Sequence, residues 1–211
     1  MPASRLLLLL VPALALLGCG DDGPRTSESR DVEPFTRVEN DSSVDVRLRV
    51  GDPLRVRVLA GEKVIDDVRT EVRGGTLEVS FDHSGFGGDN VVVEAAVPEL
   101  IGVTVDGSGD IEASGFDGGE LDVMSDGSGE VMLEGTVERL ALDVDGSGDA
   151  DLAGLEAREA NVFVGGSGEA EISAADRLDV EVDGSGDVRY HGDPAVTQRV
   201  DGSGELSQAR G

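Results

Sequence analysis

The chain has 211 residues, with 17 Lys and Arg against 44 Asp and Glu, a formal net charge of −27, one Cys and two His. So acidic a chain is unsuited to bind nucleic acid or an anionic membrane by charge, because phosphate neutralisation requires clustered Lys and Arg. The single Cys excludes a disulfide framework and a Cys-rich zinc site, and the sequence distance between His83 and His191 argues against a multi-His metal centre. Aromatic residues at 3% leave few rings on which sugars or bases could stack. We therefore expect no metal site and no cofactor.

Residues 1–18 have the pattern of a bacterial lipoprotein signal peptide. One basic residue precedes an apolar run over residues 6–17, which is too short to span a hydrocarbon core of roughly 30 Å. The sequence LLGC that ends at Cys19 resembles the lipobox, in which the Cys is acylated and becomes the mature N-terminus. An ordinary signal peptide with an incidental Cys is the alternative. We predict a lipid anchor at Cys19 in the cell envelope, and in the outer membrane of a Gram-negative host because Gly20, not Asp, follows the Cys.

Two further segments precede the repetitive part of the chain. Residues 19–33 lack apolar periodicity and predict a flexible tether. Residues 34–100 contain alternating apolar and polar segments, such as residues 44–50, and predict an irregular β cap or first coils. We take residues 34–208 as one continuous domain, and the segment HSGFGGDN at 83–90 as a loop.

The remainder of the chain repeats one motif six times. The copies read VDGSGD, SDGSGE, VDGSGD, VGGSGE, VDGSGD and VDGSGE, and their serines are 18 to 20 residues apart. Each copy contains a Gly-Ser-Gly turn, and in chain order these turns are Gly107, Ser108, Gly109; Gly127, Ser128, Gly129; Gly146, Ser147, Gly148; Gly166, Ser167, Gly168; Gly184, Ser185, Gly186; and Gly202, Ser203, Gly204. A period of about 19 residues indicates a repeat architecture.

Apolar residues alternate between the motifs and keep their register with the serines. The first column is Ile101, Leu121, Leu140, Ala160, Leu178 and Val196; the second is Val103, Val123, Leu142, Val162 and Val180; the third is Ile111, Val131, Ala150, Ala170, Val188 and Leu206. Period-2 alternation indicates strands with one buried face, and strands that recur in one orientation stack in parallel. The sequence therefore predicts an all-β fold, a right-handed parallel β-helix (solenoid) with 18 to 20 residues per coil over residues 101–208.

Each Gly-Ser-Gly is expected to form a tight corner of this helix, where small residues permit a positive φ. A leucine-rich repeat is the main structural alternative, because the segment from Val137 to Asp145 approximates its leucine pattern. The other coils lack the first leucine of that pattern, which favours the β-helix.

The sequence also resembles a known family, the putative auto-transporter adhesins with a head GIN domain. The resemblance lies in the opening EPFTRVENDSSVDVRLRVGDPLRVRVLA, the segment RGGTLEVSF, the stretch VVVEAAVPELIGVTVDGSGDI, the recurring GSGD or GSGE, and the closing HGDPAVTQRVDGSGEL. It covers about residues 33–208, and the order of these pieces carries it rather than any one of them. The resemblance implies a right-handed parallel β-helix of the pectin-lyase-like type on lipoproteins or secreted proteins, with adhesion proposed and no catalytic residues.

Stacking of the coils would also align two rows of carboxylates. One row is Asp106, Asp126, Asp145, Asp183 and Asp201; the other is Asp110, Glu130, Asp149, Glu169, Asp187 and Glu205. Two like charges about 4.8 Å apart repel by roughly 0.9 kcal/mol in water before screening. We predict that divalent cations ease this repulsion more than NaCl does, and the alternative is solvated carboxylates with no specific ion. The motif matches neither an EF-hand loop nor a nonapeptide calcium roll.

Repetition favours a passive surface over an active site, because catalysis needs one special place and these coils are alike. With 44 acidic residues, carboxylate pairing is not diagnostic, and the serines do not match a nucleophile elbow. We predict no enzyme activity. The expected function is that of an envelope lipoprotein acting as an adhesion or interaction module, with a glycan or an envelope protein as ligand. The alternatives are a structural or self-assembling envelope protein and a polysaccharide-active β-helix enzyme.

Overall fold

The computed structural model describes residues 22–82 and 90–209. Within them the chain forms a 16-stranded sheet and one short 3₁₀ helix, Ile65–Asp67. The strands are β1 (Arg25–Arg30), β2 (Arg37–Asn40), β3 (Asp45–Val50), β4 (Arg55–Gly61), β5 (Val68–Arg73), β6 (Thr76–Phe81), β7 (Val92–Val97), β8 (Gly102–Val105), β9 (Ile111–Asp117), β10 (Glu120–Ser125), β11 (Val131–Val144), β12 (Ala150–Val164), β13 (Ala170–Val182), β14 (Val188–His191), β15 (Ala195–Val200) and β16 (Leu206–Gln208). The predicted signal peptide, Cys19 and residues 83–89 of the predicted loop lie outside the described residues.

Parallel strands stack into two ladders. In ladder A, which follows each corner, β7, β3 and β9 are succeeded by the first halves of β11, β12 and β13, and then by β14 and β16. In ladder B, which precedes each corner, β6, β2, β8 and β10 are succeeded by the second halves of β11, β12 and β13, and then by β15. The three long strands shift register midway, and each carries the chain from ladder A to ladder B. The prediction of a parallel β-solenoid is confirmed.

The core of the solenoid consists of the predicted apolar columns. Leu121 pairs with Leu140, and the column continues in register through Leu178 to Val196. Leu140 and Leu178 are 1% and 0% exposed, whereas Val196 in the last coil is 38% exposed. Each interior coil therefore buries its apolar side chains against the coils on both sides of it, and burial of a leucine or valine side chain contributes about 1.5 to 3 kcal/mol.

The Gly-Ser-Gly corners need glycine for a reason other than the predicted one. None of their glycines has a positive φ, so that expectation is wrong. Instead, a Cβ on Gly127 would lie 2.0 Å from the carbonyl oxygen of Gly107, and a Cβ on Gly146 would lie 2.1 Å from that of Gly127. Ser128 donates its backbone N–H to the same carbonyl of Gly107 at 2.9 Å. Successive corners thus stack backbone on backbone, which leaves no room for a side chain.

The first coil, formed by β2 and β3, makes the same corner without glycine. Its sequence NDSSVD begins at Asn40, which pairs with Val105 at the start of the first Gly-Ser-Gly motif. The Asn40 side chain is fully buried; its Nδ2 donates to the carbonyl oxygen of Val44 at 2.8 Å, and its Oδ1 accepts from Oγ of Ser42 at 2.7 Å. A side-chain network therefore holds this corner in place.

The first coil also lies out of chain order in the stack. Strands β2 and β3 pair with β6 and β7 on one side and with β8 and β9 on the other. Along the chain, β4 and β5 lie between β3 and β6. β4 runs antiparallel to β7, and β5 runs antiparallel to β6. The segment predicted as a cap or first coils, residues 34–100, thus supplies two coils and an antiparallel end.

Strand β1 corrects the prediction of a flexible tether over residues 19–33. It pairs antiparallel with β4 from Arg25 opposite Gly61 to Arg30 opposite Val56. The Arg30 guanidinium also donates to the carbonyl oxygen of Ile65 at 3.0 Å. The sequence of β1, RTSESR, contains no apolar residue, so hydrophobic periodicity gives no sign of it. Backbone hydrogen bonds to the edge of β4 are what order this segment.

Candidate functional site

A groove of about 650 Å³ lies on the outer side of ladder B, and we call it the ladder B groove. It crosses β10, β11, β12, β13 and β15, which at about 4.8 Å between strands gives a length of about 19 Å. Met124 and Phe163 supply apolar surface, with Asp143 in register between them and the small side chain of Ala141 beside it on the same strand. These residues alternate along their strands with the core columns and so point outward; Met124 is 44% exposed.

Arginines stand at the two ends of the ladder B groove. Arg37 reaches across β8 to Asp122, with 2.9 Å between Nη2 and Oδ2. It passes over Gly102, where a Cβ would lie 2.5 Å from the Arg37 Nη1 atom. At the other end, Arg199 pairs with Glu181 of the neighbouring strand. Both guanidinium groups therefore already have carboxylate partners, and the groove keeps a negative character.

Two carboxylates in the groove have an oxygen without a hydrogen-bond partner among the described residues. These atoms are Oδ1 of Asp143 and Oδ1 of Asp179, and both are shielded from solvent. The other oxygen of Asp179 accepts a hydrogen bond from Arg177 at 2.8 Å. Burial raises the pKa of Asp143, and the nearby carboxylates of Asp145 and Asp126 raise it further. The accessible part of these carboxylates, 28% for the side chain of Asp179, can accept from a ligand that brings an O–H or N–H donor.

The acidic row that follows the corners has a structural role that the sequence did not reveal. The Oδ1 atoms of Asp110, Asp149 and Asp187 accept the backbone N–H groups of Glu130, Glu169 and Glu205, respectively, at 2.8 to 2.9 Å. The short Asp side chain carries its carboxylate to the amide of the next coil, and the alternation of Asp and Glu along the row follows these pairs. Burial raises the pKa of Glu130, with Asp110 the largest contributor among its charged neighbours. Half of the row is thus engaged with the backbone.

The same acidic row lines a polar depression of about 330 Å³ on ladder A. Within residues 22–82 and 90–209, no group of three or more His, Cys, Asp or Glu side chains is arranged to hold a metal ion. The depression is a charged surface whose carboxylates face solvent and the backbone.

The predicted turn residues come together along one edge of the solenoid. All six serines are exposed, and they stack coil upon coil as a row of hydroxyl groups. His191, the His that the structure describes, contacts Oε1 of Glu171 at 2.7 Å through its Nε2 atom. It lies on ladder A and is engaged there rather than with a corner serine. The corner row therefore offers polar contacts to a partner but does not form a nucleophile–base pair.

Sequence reasoning missed the groove and its two large apolar residues. Phe163 lies in register with Asp143 on one side and Glu181 on the other, and Met124 lies in register with Asp143. The sequence does carry a signal for the groove, which is a large apolar residue at an outward position among acidic neighbours. This signal appears only when the coils are aligned on one another and the outward columns are compared with the core columns.

The described residues contain no helix that is long and apolar enough to cross a membrane. The fold and the groove define a class, a parallel β-solenoid with a ligand-sized groove on its outer side. The chain belongs to the family described as "Putative auto-transporter adhesin, head GIN domain", which matches residues 34–194. Membership of an adhesin family indicates an interaction module of the cell surface or envelope.

A solved structure shows the same fold at low sequence identity. A putative adhesin from Bacteroides fragilis is 19% identical with a TM-score of 0.69, and the match covers 88% of this chain and 97% of that one. A putative lipid binding protein from Parabacteroides distasonis is 22% identical and a putative adhesin from Parabacteroides merdae is 17% identical. Each of these two has a TM-score of 0.49, over 90% of this chain and 98% of its own. None of the curated proteins matches the chain.

Proposed function

We propose that the protein is a lipid-anchored adhesion module of the cell envelope that binds a carbohydrate chain in the ladder B groove and catalyses no reaction on it. The observation that carries the proposal is the combination in one groove of outward-facing apolar side chains and partly accessible carboxylates. Phe163 and Met124 offer apolar contact to a sugar face, and Asp143 and Asp179 offer acceptors to its hydroxyl or amino groups.

The charge of the chain restricts the carbohydrate to a neutral or amino-bearing one. A formal net charge of −27 repels anionic polysaccharides. Within the groove, the two arginines are paired with Asp122 and Glu181, so they supply no free positive site for a uronate or phosphate. An amino sugar would place its ammonium group beside Asp143 or Asp179.

A glycan array tests this proposal with the chain from residue 20 to residue 211, which contains every described strand. We expect binding to neutral or amino-bearing glycans, and Phe163→Ser and Met124→Ser are each expected to weaken it about tenfold or more, equivalent to about 1.4 kcal/mol. Met132→Ser is the matched control, because Met132 is a methionine of similar exposure, 38%, on the outer side of ladder A. Unchanged binding in Phe163→Ser, or preference for anionic glycans, would contradict the proposal.

A pull-down from whole cells with the same variants distinguishes a glycan from an envelope protein as ligand. If Phe163→Ser loses a captured protein that survives removal of its glycans, the groove binds protein and the carbohydrate proposal is wrong. Incubation with acidic polysaccharides tests the absence of catalysis. Unsaturated products in that assay would indicate a lyase rather than an adhesion module.

The proposed lipid anchor depends on the LLGC sequence that ends at Cys19. Acylation of this Cys would hold the protein on a membrane, since each buried CH₂ contributes about 0.8 kcal/mol and stable anchoring takes more than one chain. Mass spectrometry of the mature N-terminus is expected to find a diacylglyceryl group on Cys19. Cys19→Ser is expected to abolish the modification, and an unmodified N-terminus in the native chain would contradict the anchor.

A further inference from the structure

The two ends of the described solenoid are finished differently. At the N-terminal end the outermost strands, β1 and β5, run antiparallel to their neighbours, and the buried side chains of Val64 and Ile65 cover the core. β1 has no apolar residue, which is how natural proteins protect an exposed strand edge. At the C-terminal end β15 and β16 are the last strands of ladders B and A, and each pairs on one side only.

The last coil exposes apolar residues whose partners in the preceding coil are buried. Val196 and Val200 are 38% and 39% exposed, whereas Leu178 and Val182, their partners in the preceding coil, are 0% exposed. All six residues of β15 are exposed, and the unpaired side of the strand carries free backbone N–H and C=O groups. Two of the three inward positions of this edge strand are apolar, Val196 and Val200, and the third is Gln198, which pairs with the buried Val180 of the preceding coil.

We propose that a second copy of this chain covers the C-terminal end, by antiparallel pairing of β15 with its counterpart about a two-fold axis at Gln198. In an antiparallel pair, directly opposite residues lie on the same side of the sheet. An axis at Gln198 places Val196 opposite Val200 of the other copy, twice, and Thr197 opposite Arg199. The inward apolar side chains therefore meet each other, and the outward ones do likewise.

Charge favours this pairing over the addition of another parallel coil. Parallel stacking places like residues in register, as in the acidic row that contains Asp183 and Asp201. The two-fold arrangement instead places Asp201 opposite Ala195 of the other copy, so no carboxylate of this segment faces another. The interface uses the same surface on both copies and closes at two, because the N-terminal ends are covered. The dimer would also join the two ladder B grooves end to end, since β15 forms one end of each.

Sedimentation or light scattering on residues 20–211, which include every described strand, tests the pairing. We expect a dimer that tightens between about 0.02 and 0.3 M NaCl, because salt screens the repulsion between two acidic chains. Val196→Lys combined with Val200→Lys is expected to give a monomer of unchanged circular dichroism. Ala195→Lys is the control and should retain the dimer, since the new Lys faces Asp201. A monomeric native chain, a dimeric double-lysine variant, or open-ended assemblies would each overturn the proposal.

Cysteine crosslinking provides a second test that does not depend on the lysine variant folding. Residues 20–211 contain no Cys, so a new thiol can react only with the same residue of another copy. Gln198→Cys places two thiols opposite each other at the axis, within about 5 Å, and we expect rapid formation of a disulfide-linked dimer. Ser128→Cys, exposed at a corner in the middle of the solenoid, is the matched control and should crosslink slowly. Equal rates for the two variants would exclude the proposed axis.

Discussion

The corner of the first coil and the six Gly-Ser-Gly corners follow the same path with different residues. In the first coil, Ser42 and Val44 occupy the places that glycines occupy in later coils, and the buried side chain of Asn40 holds the turn. In the later coils a Cβ at these places would meet the carbonyl oxygen of the preceding corner at about 2 Å, as at Gly107 against Ser42. The glycines are therefore required by the neighbouring coil rather than by the turn itself.

The largest expected effect is the substitution of a corner glycine. Gly146→Ala would place its Cβ 2.1 Å from the carbonyl oxygen of Gly127, and the stacked backbones can relieve this only by separating. We expect a loss of about 3 kcal/mol or more in the free energy of unfolding, measured by urea denaturation. Ser42→Ala is the control at the first corner. It removes the hydrogen bond that Oγ donates to Asn40 and the one that it accepts from the backbone N–H of Val44, and it is expected to cost about 1 to 2 kcal/mol. Equal costs for the two variants would contradict the backbone-stacking explanation.

Two polar residues, Asn40 and Ser125, lie in the apolar column that precedes each corner, and they differ in their hydrogen bonds. Asn40 and Ser125 both pair with Val105, but Asn40 makes hydrogen bonds and Oγ of Ser125 is shielded with no partner among the described residues. We expect Ser125→Val to stabilise the protein by about 1 kcal/mol, because it removes an unsatisfied hydroxyl group and matches Val144 in the next coil. Asn40→Val is expected to cost about 2 kcal/mol or more. Thermal denaturation of both variants checks this difference in sign, and a destabilised Ser125→Val would contradict it.

These contrasts also show which parts of the molecule could be predicted from its sequence. The apolar columns and their register were predictable, because period-2 alternation and a repeat of about 19 residues permit only stacked parallel strands. The role of glycine was not, because it depends on a carbonyl group one coil away and leaves no local sign. Strand β1 was missed because it is polar and is held by backbone hydrogen bonds. Phe163 was missed because one apolar residue at an outward position does not alter the periodicity.

A smaller effect is expected from pH, and it belongs mainly to the later coils. Burial, together with neighbouring carboxylates, raises the pKa of Glu39 in the first coil and of Asp106, Glu130 and Asp143 in the later coils. A raised pKa contributes stability that is fully present below the unfolded pKa, about 4, and is lost as the pH rises through the folded pKa. We therefore expect the melting temperature to rise as the pH falls from 7 to about 5 at constant ionic strength. Glu130→Gln should reduce this rise, and a melting temperature that falls over the same range would contradict it.

Glu171 contributes the opposite dependence, but at lower pH. A hydrogen bond from His191 lowers its pKa, so the stability it contributes is present above its unfolded pKa and is lost as the pH falls through the folded pKa. The rise in melting temperature is therefore expected to reverse in more acidic solution. Glu171→Gln should leave the region between pH 7 and 5 unchanged, which separates this residue from the four acids whose pKa is raised.

The smallest expected effect is that of divalent cations on the acidic row after the corners. Its Asp members are hydrogen-bonded to the backbone of the next coil, which leaves the Glu carboxylates as the groups that an ion could bridge. We expect millimolar Ca²⁺ or Mg²⁺ to raise the melting temperature slightly more than NaCl of equal ionic strength. The combined variant Glu130→Gln, Glu169→Gln, Glu205→Gln should remove the excess and keep the response to NaCl. Equal shifts in the native chain would mean that screening alone acts.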